Sequence, residues 1–443
     1  MACALRQGMF QKKVLLLEKH TIMGGLNSYY YRKIGDKSIR IDTGLHALTN
    51  FTPKGEKSSK VLPQILKQFR ISHDELKLKE QSFSKVIIDG TEVLFSNDLS
   101  LLTDQISKKF PAELDNFLKF IPFVQNTDLR LYKDQNLSGL ELLGKYFKDP
   151  LFIRMISFPI FCYGSSWEED LDAYLFVTMF RSIYLEGFAR PQGGIKTLID
   201  LMLERISQCP TVEIQKAAAV RNLCFENDLW KISTLNSYHT PLVFSSLGYP
   251  ETKLLAGESI KEEWVSPISF VEVIFMFQER HKGDHPETII FFNEDAKSIF
   301  RGARDFADYP MGVICQLENY QDSAEEDTVI KITFCGSFKK WNEADSASYK
   351  SEKQRVIETA QRILNKYLPL DQRVPLYIDC FTPRTINKYT SHIAGSVYGS
   401  QIKFKHGRCD LKNMILIGAD QGNLGITGSI LSGTDMANQF SLK

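Results

Sequence analysis

The sequence predicts an α/β fold divided between two domains, and three observations support this prediction. The chain has 443 residues, well above the roughly 250 to 300 that one hydrophobic core usually serves. An apolar run that ends in an acid and leads into paired glycines lies near the start, at residues 14–25. A second pattern, a strand followed by a glycine turn and a helix, lies near the end, at residues 414–433. Both patterns are typical of strands that alternate with helices.

The composition excludes several classes of protein. Lys and Arg total 54 and Asp and Glu total 53, so the charge gives no reason to expect a nucleic-acid partner. The eight cysteines are scattered without a metal-ligand spacing, which predicts reduced and mostly buried thiols. No apolar run reaches the 18 residues of a spanning helix, and the first residues do not resemble a signal peptide. We therefore expect a cytoplasmic or peripheral membrane location.

The first motif comprises Val14 to Leu17, the terminal Glu18 and the pair Gly24 and Gly25. It resembles the second strand of a Rossmann-like dinucleotide-binding sheet. In that sheet, the terminal acid binds ribose hydroxyls about 20 residues after a glycine turn that binds the pyrophosphate. This turn would precede residue 1, so the chain is expected to begin inside the motif, with the first strand missing or truncated. An apolar strand that ends in an acid also occurs in many other folds.

The elements that follow are predicted from periodicity. A strand with alternating isoleucines leads to Asp42, Gly44 and His46. Residues 52–190 read as helices, with a hairpin at 86–95 that turns on Asp89 and Gly90. Residues 151–164 are rich in Phe and Ile, which favours a pair of buried helices, and Arg154 and Pro159 interrupt the run, so it cannot span a bilayer. The alternative for this segment is the lining of an apolar tunnel or a membrane contact.

The second half of the chain is predicted to return to the first domain before forming another sheet. An amphipathic helix follows residue 190, and Gly193 and Gly194 at its entry expose N–H groups to an anion or act as a plain cap. Short strands are expected at 212–214, 219–225, 230–234 and 242–245, a sheet from 268–277 and 329–334, and a solvated helix face at 343–362.

The C-terminal pattern is a short buried strand, then Gly418 and Asp420 in a glycine-rich turn, then Gly425 and Gly428 at the start of a helix. This arrangement presents unpaired backbone N–H groups to an anion or a ring carbonyl. The alternative is a glycine loop without a ligand.

Five blocks in order resemble one family: LEKHTIMGG, IDTGLHAL, RPQGGIKTLIDLML, FTPRTINKY with GSVYG, and NMILIGADQGNLGITGSILSG. They are similar to blocks of the FAD-dependent phytoene desaturases, carotenoid isomerases and retinol saturases, which are relatives of the amine oxidases. The resemblance implies a two-domain flavoprotein with a Rossmann-like FAD-binding domain and an α+β substrate domain. The FAD-binding domain would comprise residues 1–51, 190–262 and 395–443, and the substrate domain residues 52–189 and 263–394.

The resemblance also implies which residues contact FAD. They are Glu18, Gly24, Gly25, Asp42, Gly44, His46, Gly193, Gly194, Val220, Gly418, Asp420, Gly425 and Gly428. Val220 matches a position whose backbone holds the adenine, Asp420 one that contacts ribityl or phosphate-side groups, and the helix after Gly425 one that faces the flavin pyrimidine. No metal site is expected, because Gly283 and Pro286 disrupt the helical spacing of His281 and His285. No catalytic acid or base is assigned.

The implied function is an FAD-dependent desaturase, saturase or isomerase that moves a hydride between the flavin and a carotenoid, retinoid or similar apolar polyene. Such substrates partition into lipid, which suggests peripheral membrane contact. Two alternatives stay open. One is a non-catalytic or truncated relative that binds an apolar ligand or partner, which the in-frame DNA upstream would distinguish. The other is an amine-oxidase-like or protoporphyrinogen-oxidase-like enzyme on the same scaffold.

Overall fold

The computed structural model describes residues 1–44, 46–55, 60–128, 137–278, 285–295, 297–321, 328–369 and 373–442. The helices are α1 (Ala2–Gly8), α2 (Val61–Phe69), α3 (His73–Leu76), α4 (Leu99–Lys109), α5 (Leu114–Asn126), α6 (Gly139–Gly144), α7 (Pro150–Gly164), α8 (Ala173–Phe180), α9 (Gly194–Ser207), α10 (Tyr249–Leu255), α11 (Phe338–Glu343), α12 (Ser346–Tyr367), α13 (Pro383–Thr390) and α14 (Gly425–Phe440). The strands of the first half are β1 (Val14–Leu17), β2 (Tyr29–Ile34), β3 (Lys37–Asp42), β4 (Leu78–Glu80), β5 (Ser84–Ile88), β6 (Thr91–Phe95), β7 (Ala189–Pro191) and β8 (Val212–Gln215). Those of the second half are β9 (Asn222–Glu226), β10 (Leu229–Ser233), β11 (Ser237–Thr240), β12 (Val243–Ser245), β13 (Phe270–Phe277), β14 (Ile289–Asn293), β15 (Met311–Gln316), β16 (Thr328–Cys335), β17 (Tyr377–Phe381) and β18 (Met414–Leu416).

Two short parallel sheets bring together distant parts of the chain. β1 pairs in parallel with β8, and β12 pairs in parallel with β18. In the described part of the chain these pairs form separate sheets. Helices α1 and α14 pack against each other, and α1 also contacts β1. The apolar faces of the first pair and of these helices share one core, in agreement with the predicted α/β architecture.

Helices α1 and α14 run parallel, so their N-termini point in the same direction. Successive positions of α1 meet successive positions of α14: Gly433 lies against Cys3, Arg6 Nε donates to Asn438 Oδ1 at 2.7 Å, and Gln7 Oε1 accepts from the Ser441 hydroxyl at 2.7 Å. A side chain at position 433 would place its Cβ 2.9 Å from the Cys3 nitrogen, so glycine permits the close packing. Helix α14 begins eight residues before Gly433 and therefore extends about 12 Å beyond this contact.

A seven-stranded sheet forms the second large element, in the order β17-β13-β16-β15-β14-β5-β6. The predicted hairpin is confirmed as β5 and β6, and its turn residues Asp89 and Gly90 have φ of +49° and +75°. The two predicted apolar strands are also confirmed, because β13 and β16 pair along their whole lengths. The interior strands are almost entirely buried, since helices cover the sheet.

Helix α7 corrects one prediction. Residues 150–164 form a single helix rather than a pair, although Pro159 lies inside it. A proline removes one backbone hydrogen bond, but here Phe158, Ile160 and Phe161 around it are completely buried, and their packing holds both halves in line. Arg154 remains at the edge of the core, where its guanidinium binds Asp89 Oδ2 at 2.8 Å.

Strand β11 was not predicted, because its sequence SYHT has little apolar character, and it pairs with β10 at the edge of a small sheet. Five further strands, β4, β7, β14, β15 and β17, were not predicted from the sequence, and β9 begins three residues later than expected. The solvated helix face at 343–362 is confirmed in α12, which buries only Val356, Ala360 and Leu364. All eight cysteines are free and mostly buried, as expected. Within the described ranges, no helix combines the length and the apolar character needed to cross a bilayer.

Candidate active site

The site begins at Glu18, where β1 ends. Its Oε1 accepts a hydrogen bond from the His20 backbone N–H at 2.8 Å, and the Ala218 N–H donates to the Glu18 carbonyl at 2.8 Å. A third bond, from the Ala217 N–H to the His20 carbonyl, fixes the same segment at 3.1 Å. The structure therefore brings the segment that carries Val220 beside Glu18. Helix α1 packs against β1, the strand that ends before Glu18. Burial lowers the pKa of the Met1 amino group, against the opposing effect of Cys3 and Glu18.

Three of the predicted glycines lie in two turns that touch. A side chain at Gly24 would place its Cβ 2.5 Å from the Asn27 carbonyl oxygen, and one at Gly44 would place it 2.6 Å from the Leu26 carbonyl oxygen. These two glycines are therefore needed for packing within the protein. Gly25 differs, because it has φ of +60° and open space where a side chain would lie. Of the three, Gly25 is the one that a ligand could approach.

Asp42 and the glycine pair at the start of α9 form one buried cluster. Asp42 Oδ2 lies 2.7 Å from Arg190 Nη2 and accepts from the Ile195 N–H at 3.1 Å. Gly193 and Gly194 adopt φ of +81° and +65°, and a Cβ on Gly194 would lie 2.0 Å from Asp42 Oδ2. The structure thus brings these three predicted residues together, and this oxygen of Asp42 binds the protein itself.

A buried charged cluster lies beside the predicted His46. Glu272 on β13 contacts His46 Nε2 at 2.7 Å and Lys331 Nζ at 2.9 Å, and its Oε2 also accepts from the Thr333 hydroxyl at 2.9 Å. Burial raises the pKa of Glu272, but Lys331 and His46 outweigh it and bring the pKa to about 2. Lys331 also donates to the Asp42 carbonyl at 2.7 Å. Because Glu272 is ionised, its carboxylate accepts a hydrogen bond from His46 Nε2–H. The other ring nitrogen, Nδ1, takes no part in this contact.

Glu272 and Lys331 are absent from the predicted site residues, although the sequence carries a signal for them. Each is the only charged residue in a mostly apolar strand. A charge in such a strand is buried only with a partner. The sequence gives no indication of which residue that partner is.

The segment that contains His46 connects the large sheet to the start of α14. The Tyr320 hydroxyl donates to the His46 carbonyl at 2.7 Å, and Leu48 pairs with Ala189. One residue further, the carbonyl of Thr49 accepts from the Thr427 hydroxyl in the first turn of α14 at 3.1 Å. The first turn of α14 has no side-chain cap, so its positive end is available to a ligand.

Five partly exposed residues, which we together call the crevice, are His46 and four residues that pack against one buried core: Tyr163, Phe270, Tyr398 and Ala419. Phe270 and Tyr398 pack with their ring centroids 5.7 Å apart, and the Tyr398 hydroxyl donates to the Cys162 carbonyl. The end of α7 touches the start of α14, because a Cβ on Gly164 would lie 2.7 Å from Leu424 Cδ1. The crevice is therefore mainly aromatic and adjoins the N-terminus of α14.

Two of the C-terminal glycines face open space, whereas Gly428 and Asp420 contact other parts of the protein. Gly418 has φ of +83° with open space beside it, and the Cβ of a residue at Gly425 would have its nearest neighbour 3.8 Å away, at Thr49 Oγ1. Gly428 packs tightly against Asn423. The Asp420 carboxylate accepts from the Tyr249 N–H at 2.5 Å and the Ser400 N–H at 2.6 Å, so it ties α10 and the loop at 400 to the glycine turn.

Open space lies beside two of the predicted glycines, and Glu18 and the uncapped helix start lie apart along the parallel helices. Glu18 and the strand that carries it lie at one end of the parallel helices, and the uncapped start of α14 lies about 12 Å beyond their contact. Gly25 and Gly418 leave open space beside the backbone. Among the described residues, no group of three or more metal-binding side chains is present.

Comparison with known proteins supports this architecture. No protein-family model and no curated protein sequence matches the chain. Among solved structures, an oxidoreductase from Methanosarcina mazei has a TM-score of 0.62 and 15% identity, covering 99% of this chain and 97% of that one. Cyclohexylamine oxidase from Brevibacterium oxydans has a TM-score of 0.63 at 10% identity, covering 99% and 95%. Putrescine oxidase bound to putrescine has a TM-score of 0.60 at 12% identity, covering 100% and 96%. The chain therefore has the same fold as these three proteins.

Proposed function

We propose that the protein is an FAD-dependent oxidoreductase, a desaturase, saturase or isomerase that acts on a carotenoid, retinoid or similar apolar polyene. The observation that carries the proposal is the parallel arrangement of α1 and α14, with Glu18 near the start of α1 and the aromatic crevice at the start of α14. An adenosine at Glu18 and a flavin ring at α14 would span this arrangement. The fold shared with several oxidases supports the enzyme class.

Different parts of the chain would bind different parts of FAD. Glu18 would accept hydrogen bonds from the ribose hydroxyls, and the backbone around Val220 would hold the adenine. The first-turn N–H groups of α14 would meet the oxygens of the flavin ring. FAD, when bound, supplies the hydride chemistry.

The crevice would hold the substrate and exclude water from it. Phe270, Tyr398 and Tyr163 provide aromatic surface for an apolar chain, which excludes water from the reacting carbons. His46 also lies at this surface, and Glu272 fixes its orientation through the contact with Nε2. The protein would therefore contribute three things to catalysis: positioning of the substrate, exclusion of water and one oriented imidazole.

The proposal is tested by FAD reconstitution and product analysis. Purified protein incubated with FAD and desalted should be yellow. Under anaerobic conditions, its flavin should be bleached by a polyene that donates hydride, or reoxidised after chemical reduction by a polyene that accepts it, and should not change without a polyene. Chromatography of a panel of carotenoids and retinoids should reveal a product with a changed number or geometry of double bonds. A folded protein that stays colourless after reconstitution supports the non-catalytic alternative and rejects the proposal.

An amine-oxidase-like activity is the second candidate, because two of the similar folds are oxidases of putrescine and of cyclohexylamine. Both candidates require FAD, so cofactor binding does not separate them. Anaerobic reduction of the bound flavin by amines, with no response to polyenes, would favour the second candidate. The opposite pattern would favour the first.

The proposal includes peripheral membrane contact, because an apolar polyene must be taken from lipid. Several large apolar side chains are exposed in the structure, among them Phe10 and Leu254. Co-sedimentation with liposomes that contain the polyene, compared with protein alone, tests this part of the proposal independently of turnover.

A further inference from the structure

Thr49 contributes an oxygen atom to the open space at the start of α14. Gly425, the first residue of that helix, adopts φ of +70°. Outside its own helix, the position that a Cβ would take has one neighbour within 4 Å, Thr49 Oγ1 at 3.8 Å. Gly425 is partly exposed, and the space on its free side would hold at least a methyl group. A ligand atom can therefore occupy this space in contact with the Thr49 hydroxyl.

The hydroxyl proton of Thr49 is used within the protein. Thr49 Oγ1 donates to Asn50 Oδ1 at 3.1 Å, and Asn50 Nδ2 donates to Glu186 Oε2 at 2.7 Å. The second bond fixes the orientation of the Asn50 amide, because an amide nitrogen donates and a carboxyl oxygen accepts. The amide oxygen of Asn50 is therefore the atom that faces Thr49 and accepts its proton.

The backbone holds Asn50 in this position. Asn50 adopts φ of +65°, a left-handed conformation that asparagine tolerates better than most residues. Its N–H donates at 3.1 Å to the carbonyl of Ser182, which lies in the π-helical segment Arg181–Glu186. Short π-helical segments are rare and frequently lie at functional sites. One segment therefore supplies both contacts that orient Asn50.

The oxygen of the Thr49 hydroxyl remains able to accept a hydrogen bond. A hydroxyl has one proton and two lone pairs, and among the described residues no group donates to Thr49 Oγ1. The side chain is buried, since Thr49 is only 5% exposed. Because its proton is already bound to Asn50, the partner that this oxygen lacks is a donor, an N–H or an O–H group.

The start of α14 has the opposite hydrogen-bonding character. The N-cap residue Leu424 makes no side-chain bond to the first turn, so the backbone N–H groups there are available as donors. A ligand that satisfies both this turn and Thr49 needs acceptors and a donor on neighbouring atoms. An imide edge, in which an N–H lies between two carbonyl groups, has this pattern. The pyrimidine ring of a flavin carries such an edge, with its N–H at N3.

We propose that Thr49 orients the flavin ring, because its hydroxyl oxygen accepts a hydrogen bond from N3–H while the first turn of α14 donates to the ring carbonyl oxygens. The inference rests on the proposed function and adds a cofactor-binding residue to it. Asn50 and Glu186 are positioning residues, since they act by holding the Thr49 proton on the side away from the ring. The contact does not depend on which substrate is oxidised or reduced.

The test follows the N3–H proton directly. FAD labelled with 15N at N3 is bound to the purified protein, and its N3–H signal is recorded by 15N-edited proton NMR. In the wild type, the proton should resonate at lower field than in free FAD and exchange more slowly with water. Thr49→Val keeps the shape of the side chain and removes the hydroxyl, so the signal should return toward its position in free FAD. Thr49→Ser restores a hydroxyl and should restore the low-field signal.

FAD affinity is measured on the same variants by quenching of flavin fluorescence. Thr49→Val should bind FAD about fivefold to tenfold more weakly, the effect of one neutral hydrogen bond. Thr434→Val is the matched control, because Thr434 is completely buried in the same helix and its hydroxyl donates to the Ile430 carbonyl at 2.8 Å. This control should leave both the N3–H signal and the affinity as in the wild type.

Three results would overturn the proposal while FAD still binds. They are an N3–H signal in the wild type like that of free FAD, a low-field signal that is unchanged in Thr49→Val, and an equal loss of affinity in Thr49→Val and Thr434→Val. The first result needs no variant, so it applies even if Thr49→Val fails to fold. A folded wild type that binds no FAD defeats the proposed function as well, and this outcome is distinct from the other three.

Discussion

Lys331 and Glu272 form an ion pair inside the protein, with Lys331 Nζ 2.9 Å from Glu272 Oε1 and neither side chain more than 3% exposed. The pair also connects two parts of the candidate site. Lys331 binds the carbonyl of Asp42, whereas Glu272 binds His46. The large sheet therefore fixes the orientation of His46 through two buried charges, each of which needs the other.

The first prediction concerns removal of one partner. Glu272→Gln should destabilise the protein by about 3 to 5 kcal/mol, because it leaves the Lys331 ammonium buried without a counter-ion. The double variant Glu272→Leu with Lys331→Met removes both charges and should recover a large part of the loss. Urea unfolding followed by circular dichroism measures these differences.

The exposed pair of Lys54 and Asp74 provides the control, since these side chains are 68% and 67% exposed at an N–O distance of 2.7 Å. Lys54→Met should change stability by less than about 1 kcal/mol. If Glu272→Gln lowers the free energy of unfolding as little as Lys54→Met does, the buried pair does not carry the stabilisation assigned to it.

The second prediction is a pH dependence. The pKa of Glu272 is lowered to about 2 from an ordinary value of 4.5, so the folded state gains stability from this group above pH 4.5 and loses it as the pH falls toward 2. Between pH 6 and pH 3 the wild type should lose about 2 kcal/mol through Glu272 alone. Glu272→Gln lacks the titrating group, so the stability gap between the two proteins should narrow by that amount. An equal gap at both pH values, measured by urea unfolding, would contradict the assignment.

Much of the fold followed from local sequence. Asp89 and Gly90 predicted their turn because both positions need a positive φ, and the apolar runs of β13 and β16 predicted a buried sheet. The ion pair could not be predicted in the same way. Glu272 and Lys331 are 59 residues apart, and only the pairing of their strands brings them together. Register between distant strands is a tertiary property that periodicity does not contain.

In the candidate site, too, some features could be predicted from local sequence and others depend on tertiary structure. The sequence identified glycines at the turns, but it could not show whether the space beside each glycine is filled by protein or open. Gly194 is blocked by Asp42, whereas Gly25 and Gly418 face open space. Pro159 predicted a break between two helices, but the structure has one helix there. The surrounding core holds α7 together despite the missing hydrogen bond.

The third prediction uses this difference between glycines. Gly25→Ala and Gly194→Ala introduce the same methyl group at similar φ, +60° and +65°. Gly25→Ala should cost about 1 kcal/mol for the left-handed conformation alone. Gly194→Ala should cost about 3 kcal/mol or more, because its methyl group also displaces Asp42 from Arg190. Urea unfolding of the two variants side by side tests the prediction, and equal losses would refute the packing role of Gly194.

The last prediction addresses the adenosine end of the proposed FAD site. Glu18→Gln keeps the size of the side chain and an oxygen that can accept from the His20 N–H, but it removes the charged acceptor for the ribose hydroxyls. FAD affinity should fall by about tenfold to a hundredfold, the range for hydrogen bonds to a charged group. Glu213→Gln is the matched control, because Glu213 is exposed on the neighbouring strand β8.

Binding of FMN, which lacks the adenosine, makes the prediction specific. Glu18→Gln should leave FMN affinity unchanged, because Glu18 lies at the end of the site away from the crevice. Quenching of flavin fluorescence on titration with protein measures both affinities, and circular dichroism confirms that the variants are folded. A parallel loss of FAD and FMN binding would place Glu18 near the flavin ring instead. An unchanged affinity for FAD would remove Glu18 from the cofactor site altogether.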